Sequence, residues 1–358
     1  MGTVPDDGAA RPRISLVIAA RNASGFIHPV MASIRRSETA TMEVVVVDDC
    51  STDDTAELAT MLGAKLVRLE SPAGAAAARN AGAREATGDV VMFIDHDCCL
   101  CEDTIDRVLE AMARYRGEVV LGGTYTLEPF DAHRFASCLQ SLHVHYSETR
   151  RPDPDYIASH CFIMVRALFL REGGFPEALS LLLANGCCQD VLFSHLLRRR
   201  GYRLVMDPSL QVRHIFNFTV RHSIFNAFWK SRAWTRFALS EGSLLRDSGS
   251  ASSEMKVSSV LLTLALASLM ASAWWKPMAL ASLALAAASL AANARLYAFI
   301  FRHKGTWFTL RAAGLYSLQL LAVVAGGVAG LAQGPLTPAR NAPASEGSCG
   351  STTNMGRS

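Results

Sequence analysis

At 358 residues, half of them hydrophobic, the chain has room for one large domain or two ordinary ones, each with its own core. A formal net charge of +3 is too small to argue for nucleic acid as a partner. Nine cysteines without a spaced pair of Cys-x-x-Cys motifs argue against a structural zinc site and read as reduced cytosolic thiols. The mean hydropathy of +0.19 exceeds what a soluble enzyme needs, and the excess sits in the last third of the chain.

Residues 1–13 are polar, with Pro5 and Pro12, and lack the apolar core of a signal peptide. They are expected to form a flexible N-terminus ahead of a cytoplasmic domain. Ile14 to Ala19 is a short apolar run and a first strand, ending at Ala20-Arg21-Asn22. Phe26, Ile27, Val30, Met31 and Ile34 recur at helical spacing, so a helix follows. Glu43 to Val47 is a second buried strand, rich in β-branched residues, and it ends in Asp48 and Asp49. Ser51-Thr52-Asp53-Asp54 resembles a capping box opening a helix from Thr55 to Leu62. Lys65 to Leu69 is a third strand, and Gly74 to Arg84 is a small-residue helix carrying Arg79 and Asn80. Alternating strands and helices predict a parallel sheet with right-handed crossovers.

The stretch Asp89 to Asp97 organises this half. Five apolar residues between Gly88 and a carboxylate read as a strand buried on both faces. Strand alternation would point Asp95 and Asp97 the same way and His96 the other. Paired carboxylates at a strand end suit a hard divalent cation. In open α/β sheets, ligands bind beyond the carboxyl ends of the strands. Asn22, the pair Asp48 and Asp49, and the pair Asp95 and Asp97 are therefore expected along one edge. There is no Gly-x-Gly-x-x-Gly turn and no Gly-x-x-x-x-Gly-Lys-Ser/Thr loop, so neither a dinucleotide fold nor a P-loop is indicated. Arg79 is the basic group placed to meet a diphosphate.

These segments resemble the family 2 glycosyltransferases of GT-A fold. The resemblance is carried by Ile14 to Asn22, Val44 to Thr55, Ala78-Arg79-Asn80-Ala81-Gly82 and Phe93-Ile94-Asp95-His96-Asp97. It implies a GT-A, Rossmann-like, mostly parallel sheet with helices on both faces. It also implies a nucleotide-diphosphate sugar as donor. By it, Asp48 or Asp49 contacts the nucleobase, and Ala19, Asn22, Arg79 and Asp95 complete the nucleotide-sugar contacts. Asp95 and Asp97 form the family's Asp-x-Asp pair, with Asp97 the direct ligand of Mg2+ or Mn2+.

Strands are expected at Glu118 to Gly123 and Ile157 to Val165, then a helix to Glu172 and a turn at Gly173-Gly174. Gln189-Asp190 opens a further helix. The family carries a carboxylate pair here, and its second member is the catalytic base. Asp190 matches that position, and Gln189 departs from the usual Glu. Inversion in one displacement needs one group to take the acceptor's proton, so Asp190 suffices. His214, after Val212-Arg213, matches a histidine that in some relatives approaches the diphosphate or the metal. The adjacent pair Cys187-Cys188 has no physical account.

Residues 215–245 mix Phe225, Phe228, Trp229 and Trp234 with Lys230, Arg232 and Arg236, which suits either a helix at lipid headgroups or one packed on the sheet. Residues 14–245 thus read as the glycosyltransferase domain and 246–256 as a Ser/Gly-rich linker. Three uncharged runs follow, and transmembrane helices are expected at about 257–275, 278–296 and 312–333. The first run, at ~1.5 Å per residue, spans a little under 30 Å. Arg295, Arg302, Lys304 and Arg311 lie between the second and third, and the positive-inside rule puts them in the cytoplasm with the catalytic domain. The first two runs would form a hairpin, and the third would send a disordered tail, 334–358, outside. The chain then reads as a multi-pass protein of the inner cell membrane.

The function expected is an inverting, metal-dependent transfer onto a lipid-linked or envelope-glycan acceptor. The Gln-x-x-Arg-Trp motif of processive synthases is absent, so one sugar per encounter is expected. A sugar-phosphate nucleotidyltransferase would need a Gly-rich basic loop, which Ala19-Ala20-Arg21-Asn22 does not supply. Gln189 keeps open a membrane-tethered nucleotide-sugar binder without catalysis.

Overall fold

The computed structural model describes residues 12–37, 42–115, 118–178, 188–249 and 251–336. Most of the expected flexible N-terminus and tail, and Cys187, lie outside them. The described residues form two compact units. One holds those up to Gly122 together with Ala158–Arg203, and the other holds Gly123–Ile157 and those from Leu204 onward.

The first unit is built on β1 (Ile14–Ala20), β2 (Met42–Asp48), β3 (Lys65–Arg68) and β4 (Val90–Asp95). β1 pairs in parallel with both β2 and β4, and β2 with β3. β7 (Cys161–Val165) then lies antiparallel between β4 and β6 (Val119–Tyr125), giving the order β3-β2-β1-β4-β7-β6. The sheet is mixed rather than wholly parallel. Every residue of β1 and the first five of β4 are buried, as their unbroken apolar runs require of strands covered on both faces. α1 (Ser24–Arg36), α2 (Thr55–Met61) and α3 (Gly74–Glu85) make the crossovers, and α1 buries Ile27, Val30, Met31 and Ile34 as the helical spacing predicts. Next to β4, Phe93, Phe162, Phe169, Phe175 and Phe193 form an edge-to-face and tilted ring cluster, with centroids 4.9–6.0 Å apart.

Strand β4 stops at Asp95, so His96 and Asp97 lie in a turn and not on the strand. The turn feeds a short strand, β5 (Cys98–Leu100), which is not expected from the sequence. Strand alternation therefore does not govern Asp97. The His96 ring packs 5.8 Å from Phe26. β7 also starts later than expected, because 157–160 is loop. α4 (Thr104–Arg114), α6 (Arg166–Arg171) and α7 (Gln189–Arg199) complete this unit.

The second unit contains α5 (Phe135–Thr149), β8 (Arg203–His214), α8 (Val220–Ser240), α9 (Ser253–Ala271), α10 (Pro277–Ala292) and α11 (Ala294–Gln333). α9 and α10 form the expected hairpin, with Ser282 and Ser289 hydroxyls donating to the carbonyls of Ala265 and Ser258 at 2.8 and 2.9 Å. Trp274 and Trp275 stand exposed beyond the end of α9. α9 and α11 are long and apolar enough to cross a membrane by length and composition, whereas α10 is shorter. The second apolar run is thus a 16-residue helix ending at Ala292 rather than reaching 296.

The third run lies in the second of two helices that join through a kink at Gly305 and together make up α11, and the first of them carries Arg295, Arg302 and Lys304, residues that favour helix rather than loop. α11 breaks only at Gly305, where φ is +75°, a conformation open to glycine. Its core side, Leu296, Ile300, Leu315, Tyr316 and Leu320, packs with Leu139 and Leu142 of α5.

Gly326 and Gly330 allow α11 to touch α8 through backbone. A Cβ on Gly326 would lie 2.2 Å from the Phe228 carbonyl oxygen, and one on Gly330 would lie 2.7 Å from that of Arg232. Gly326→Val should therefore lower stability by about 1–3 kcal/mol, the usual cost of overpacking, read as a lowered thermal midpoint in detergent.

Candidate active site

The site follows from strand register in the first unit. Ala19 lies opposite both Val47 and Asp95, and Ala20 lies opposite Asp48. The C-terminal ends of β1, β2 and β4 are thus level, and their terminal carboxylates emerge on one edge. β1 leads to β2 on one side while β4 lies on the other, which is the strand reversal where open α/β sheets bind ligands.

Arg79, on α3, is 5% exposed, and its Nη2 donates to Asp95 Oδ1 at 2.5 Å. The guanidinium also lies 5.9 Å from the centroid of Phe175. Its neighbour Asn80 turns the other way. The Asn80 amide donates to the Phe175 carbonyl at 2.8 Å and to Glu177 Oε1 at 2.9 Å, and its oxygen accepts from the Phe175 amide at 2.9 Å. The consecutive Arg and Asn thus divide the work, one facing the carboxylate edge and the other fixing the turn after Gly173 and Gly174, both at positive φ.

Asp190 Oδ2 accepts from the Ser159 amide at 3.0 Å, and Oδ1 from the Val191 amide at 2.9 Å. Residue 159 spends its amide on this carboxylate, which accounts for the late start of β7. Asp190 keeps some solvent contact, but its carboxyl is packed among protein atoms. Burial raises its pKa above the ordinary aspartate value. The two amides and the charge of Arg79 act against that rise, and the charge of Asp95 adds to it. Gln189 beside it is buried and neutral, where a glutamate would add a second buried negative charge.

Asp48 and Asp49 are both 4% exposed. Asp48 Oδ1 accepts from the Ser51 amide at 3.1 Å. Asp49 accepts from the amides of Ala73 and Gly74 at 2.6 and 3.0 Å, so it closes the first turn of α3 from a distance. Asn22, at φ +50°, ties the first two loops together, because its oxygen accepts from the Thr52 amide at 2.8 Å and its own amide donates to Ser51 Oγ at 2.9 Å. Asp53 plays a matching part for α1 and α2. Burial alone would raise its pKa, but hydrogen bonds from Thr55 and Ser24 hold the carboxyl down to about 2.

Asp97 is half-buried in the turn after Asp95, and its Oδ1 lies 3.9 Å from the Cys98 thiol. Burial, and then the charges of Asp97 and Asp95, push that thiol's pKa up. Two hard oxygen donors one residue apart, both partly open to solvent, fit a divalent cation of the Mg2+ or Mn2+ kind. His214 belongs to the second unit. It ends β8, with its ring stacked 3.9 Å from Phe216 and edge-on to Tyr125 at 5.0 Å.

Residues 15–172 match the family described as "Glycosyl transferase family 2". This segment is a family 2 glycosyltransferase domain. The succinoglycan biosynthesis protein ExoO of Rhizobium meliloti is 35% identical to it over 102 residues, 28% of this chain and 29% of that protein. Glycosyltransferase GlyG of Streptococcus pneumoniae is 25% identical over 175 residues, 46% of this chain and 58% of that protein. The chain therefore spans less than two thirds of these curated relatives. Among solved structures, a mannosyltransferase of Pyrobaculum calidifontis in complex with GDP-Man and Mn2+ superposes with a TM-score of 0.56 at 20% identity. The match covers 91% of this chain and 88% of that one. The family 2 domain accordingly has a GT-A-like fold.

Asp49→Ala removes two acceptors from the first turn of α3. It should cost about 1–2 kcal/mol in denaturant titrations of the ligand-free protein. A residue serving only to contact a nucleobase would show no such loss.

Proposed function

We propose that the chain is an enzyme that moves a sugar from a nucleotide-diphosphate donor to an acceptor hydroxyl, with inversion. The observation that carries this is Asp190, a carboxylate with a raised pKa whose charge interactions are with Arg79 and Asp95 at the carboxyl edge of the sheet. A base of that kind suits proton abstraction from an alcohol.

In this reading Asp190 takes the proton as the acceptor oxygen bonds to the anomeric carbon. The bond from that carbon to the diphosphate breaks with its electron pair leaving on the diphosphate. Arg79 meets the phosphates, and Asp48 and Asp49 fix the loops that hold the base. Asp97, with Asp95, would hold Mg2+ or Mn2+, which when bound neutralises charge on the departing diphosphate. The GDP-Man and Mn2+ of the mannosyltransferase relative support a nucleotide sugar and a divalent metal. The name of the Rhizobium relative, a succinoglycan biosynthesis protein, supports a role in building a glycan. Exposed leucines on α9 and α10, with exposed Trp274 and Trp275 between them, support a membrane anchor, and with it a lipid-linked or glycan acceptor at the cytoplasmic face.

Asp190→Asn should lower transfer by roughly 10²–10⁴-fold in a nucleotide-sugar panel with Mn2+ while donor binding persists. A folded-state pKa above the unfolded one means that ionised Asp190 weakens the fold at neutral pH, so the melting point of the variant relative to the parent should be higher at pH 7 than below the Asp190 pKa. In the parent, kcat/KM should fall as pH drops through the Asp190 pKa, with a midpoint above the usual aspartate value. Donor binding by an unmodified protein that transfers nothing would instead favour a binder. For the metal, thermal stabilisation by Mn2+ with donor should disappear in Asp97→Ala.

A further inference from the structure

α8 carries Arg221, Lys230, Arg232 and Arg236 and no acidic residue. Arg221, Phe225 and Trp229 recur every fourth position, so they form one stripe, and all three are exposed, as is Lys230. Arg221 lies 5.5 Å over the Phe225 ring, and Arg232 lies 4.9 Å over that of Trp229. Basic groups interleaved with exposed rings suit the headgroup layer, and charges at this density keep α8 out of hydrocarbon.

α11 is tied to α8 along that length. Ser231 Oγ donates to the Val323 carbonyl at 2.7 Å, and Arg232 Nε donates to Gln333 Oε1 at 2.9 Å. Further on, Arg236 Nε reaches the Gly334 carbonyl at 3.3 Å, and the Leu336 amide donates to Ser240 Oγ at 2.8 Å. Later residues of α8 meet later residues of α11, so the two helices run side by side in the same direction. A spanning helix would have to leave a neighbour that stays in the headgroups, and here the close glycine contacts hold the pair together.

We propose that α8 and the part of α11 after Gly305 form one platform lying on an anionic lipid surface, and that this part of α11 does not cross the bilayer. This rests on the membrane reading above. Exposed Leu318, Val328 and Leu331 supply the apolar contact of α11. Charge complementarity selects anionic lipid, because α8 holds four Lys and Arg residues and no Asp or Glu. Among the described residues, the α9–α10 hairpin is then the inserted element. Residues 334–336 then lie on the side from which the hairpin entered.

The test uses the full chain with an epitope at each end, in proteoliposomes. One set is phosphatidylcholine alone and the other contains phosphatidylglycerol. Protease added outside should remove both epitopes or spare both on any one molecule. Lys230 should be acetylated roughly fivefold more slowly in the phosphatidylglycerol vesicles, the protection expected for one basic side chain at an anionic surface. Epitopes on opposite faces overturn the platform and leave the anchor standing. Equal acetylation in both lipids overturns the anionic partner. A chain released from the vesicles by alkaline carbonate overturns anchor and platform together, while leaving the transferase reading to the Asp190 variant.

Discussion

In-register parallel pairing of β1 with β2 and β4 is the constraint on which the candidate site depends. Because Ala19 and Ala20 sit opposite Asp95 and Asp48, acidic residues far apart in sequence end neighbouring strands within one register position of each other. A shift of one residue would turn each of these side chains to the other face of its strand. The buried Arg79 then has a carboxylate in reach at Asp95. Asp190 feels both charges, while two backbone amides hold it in place. Geometry and electrostatics here are two results of one hydrogen-bonding pattern.

Much of the first unit was legible because its signals are local. Apolar runs ending in carboxylates marked β1, β2 and β4, and the order of the motifs resembles that of the family. What stayed hidden was the partner each side chain chooses. Asp49 resembles a ligand contact in sequence, yet both its oxygens are spent on amides of α3. Asn80 had no role assigned from the sequence, yet it fixes the Phe175 turn. Neither choice is written in spacing, since each depends on residues more than twenty positions away. The strand-alternation argument for Asp97 failed for a related reason. Nothing apolar marks the point where β4 gives way to a turn.

The second unit was less legible. Uncharged composition correctly marked apolar helices and the α9–α10 hairpin, but hydropathy alone could not say where α11 begins or what it packs against. The decisive residues are small: Gly305 interrupts the helix, and Gly326 and Gly330 let two backbones meet. The expected span at 312–333 lies in the helix after the Gly305 kink, whose neighbour, α8, is basic. Helix α5 went unnoticed because its inward face, Leu139 and Leu142, is short and interrupted by polar residues.

The carboxylates at this edge of the sheet have a consequence for the order of events. Among the described residues Asp95 and Asp190 both interact with Arg79, Asp48 pairs with Arg68, and Asp97 follows Asp95 in the turn, so negative charge predominates there. A nucleoside diphosphate arriving bare would meet net repulsion there. If the proposed donor is the substrate, cation and nucleotide must enter together or the cation first. The departing nucleotide would then loosen its hold once the ion is stripped away, making turnover sensitive to how readily that ion exchanges.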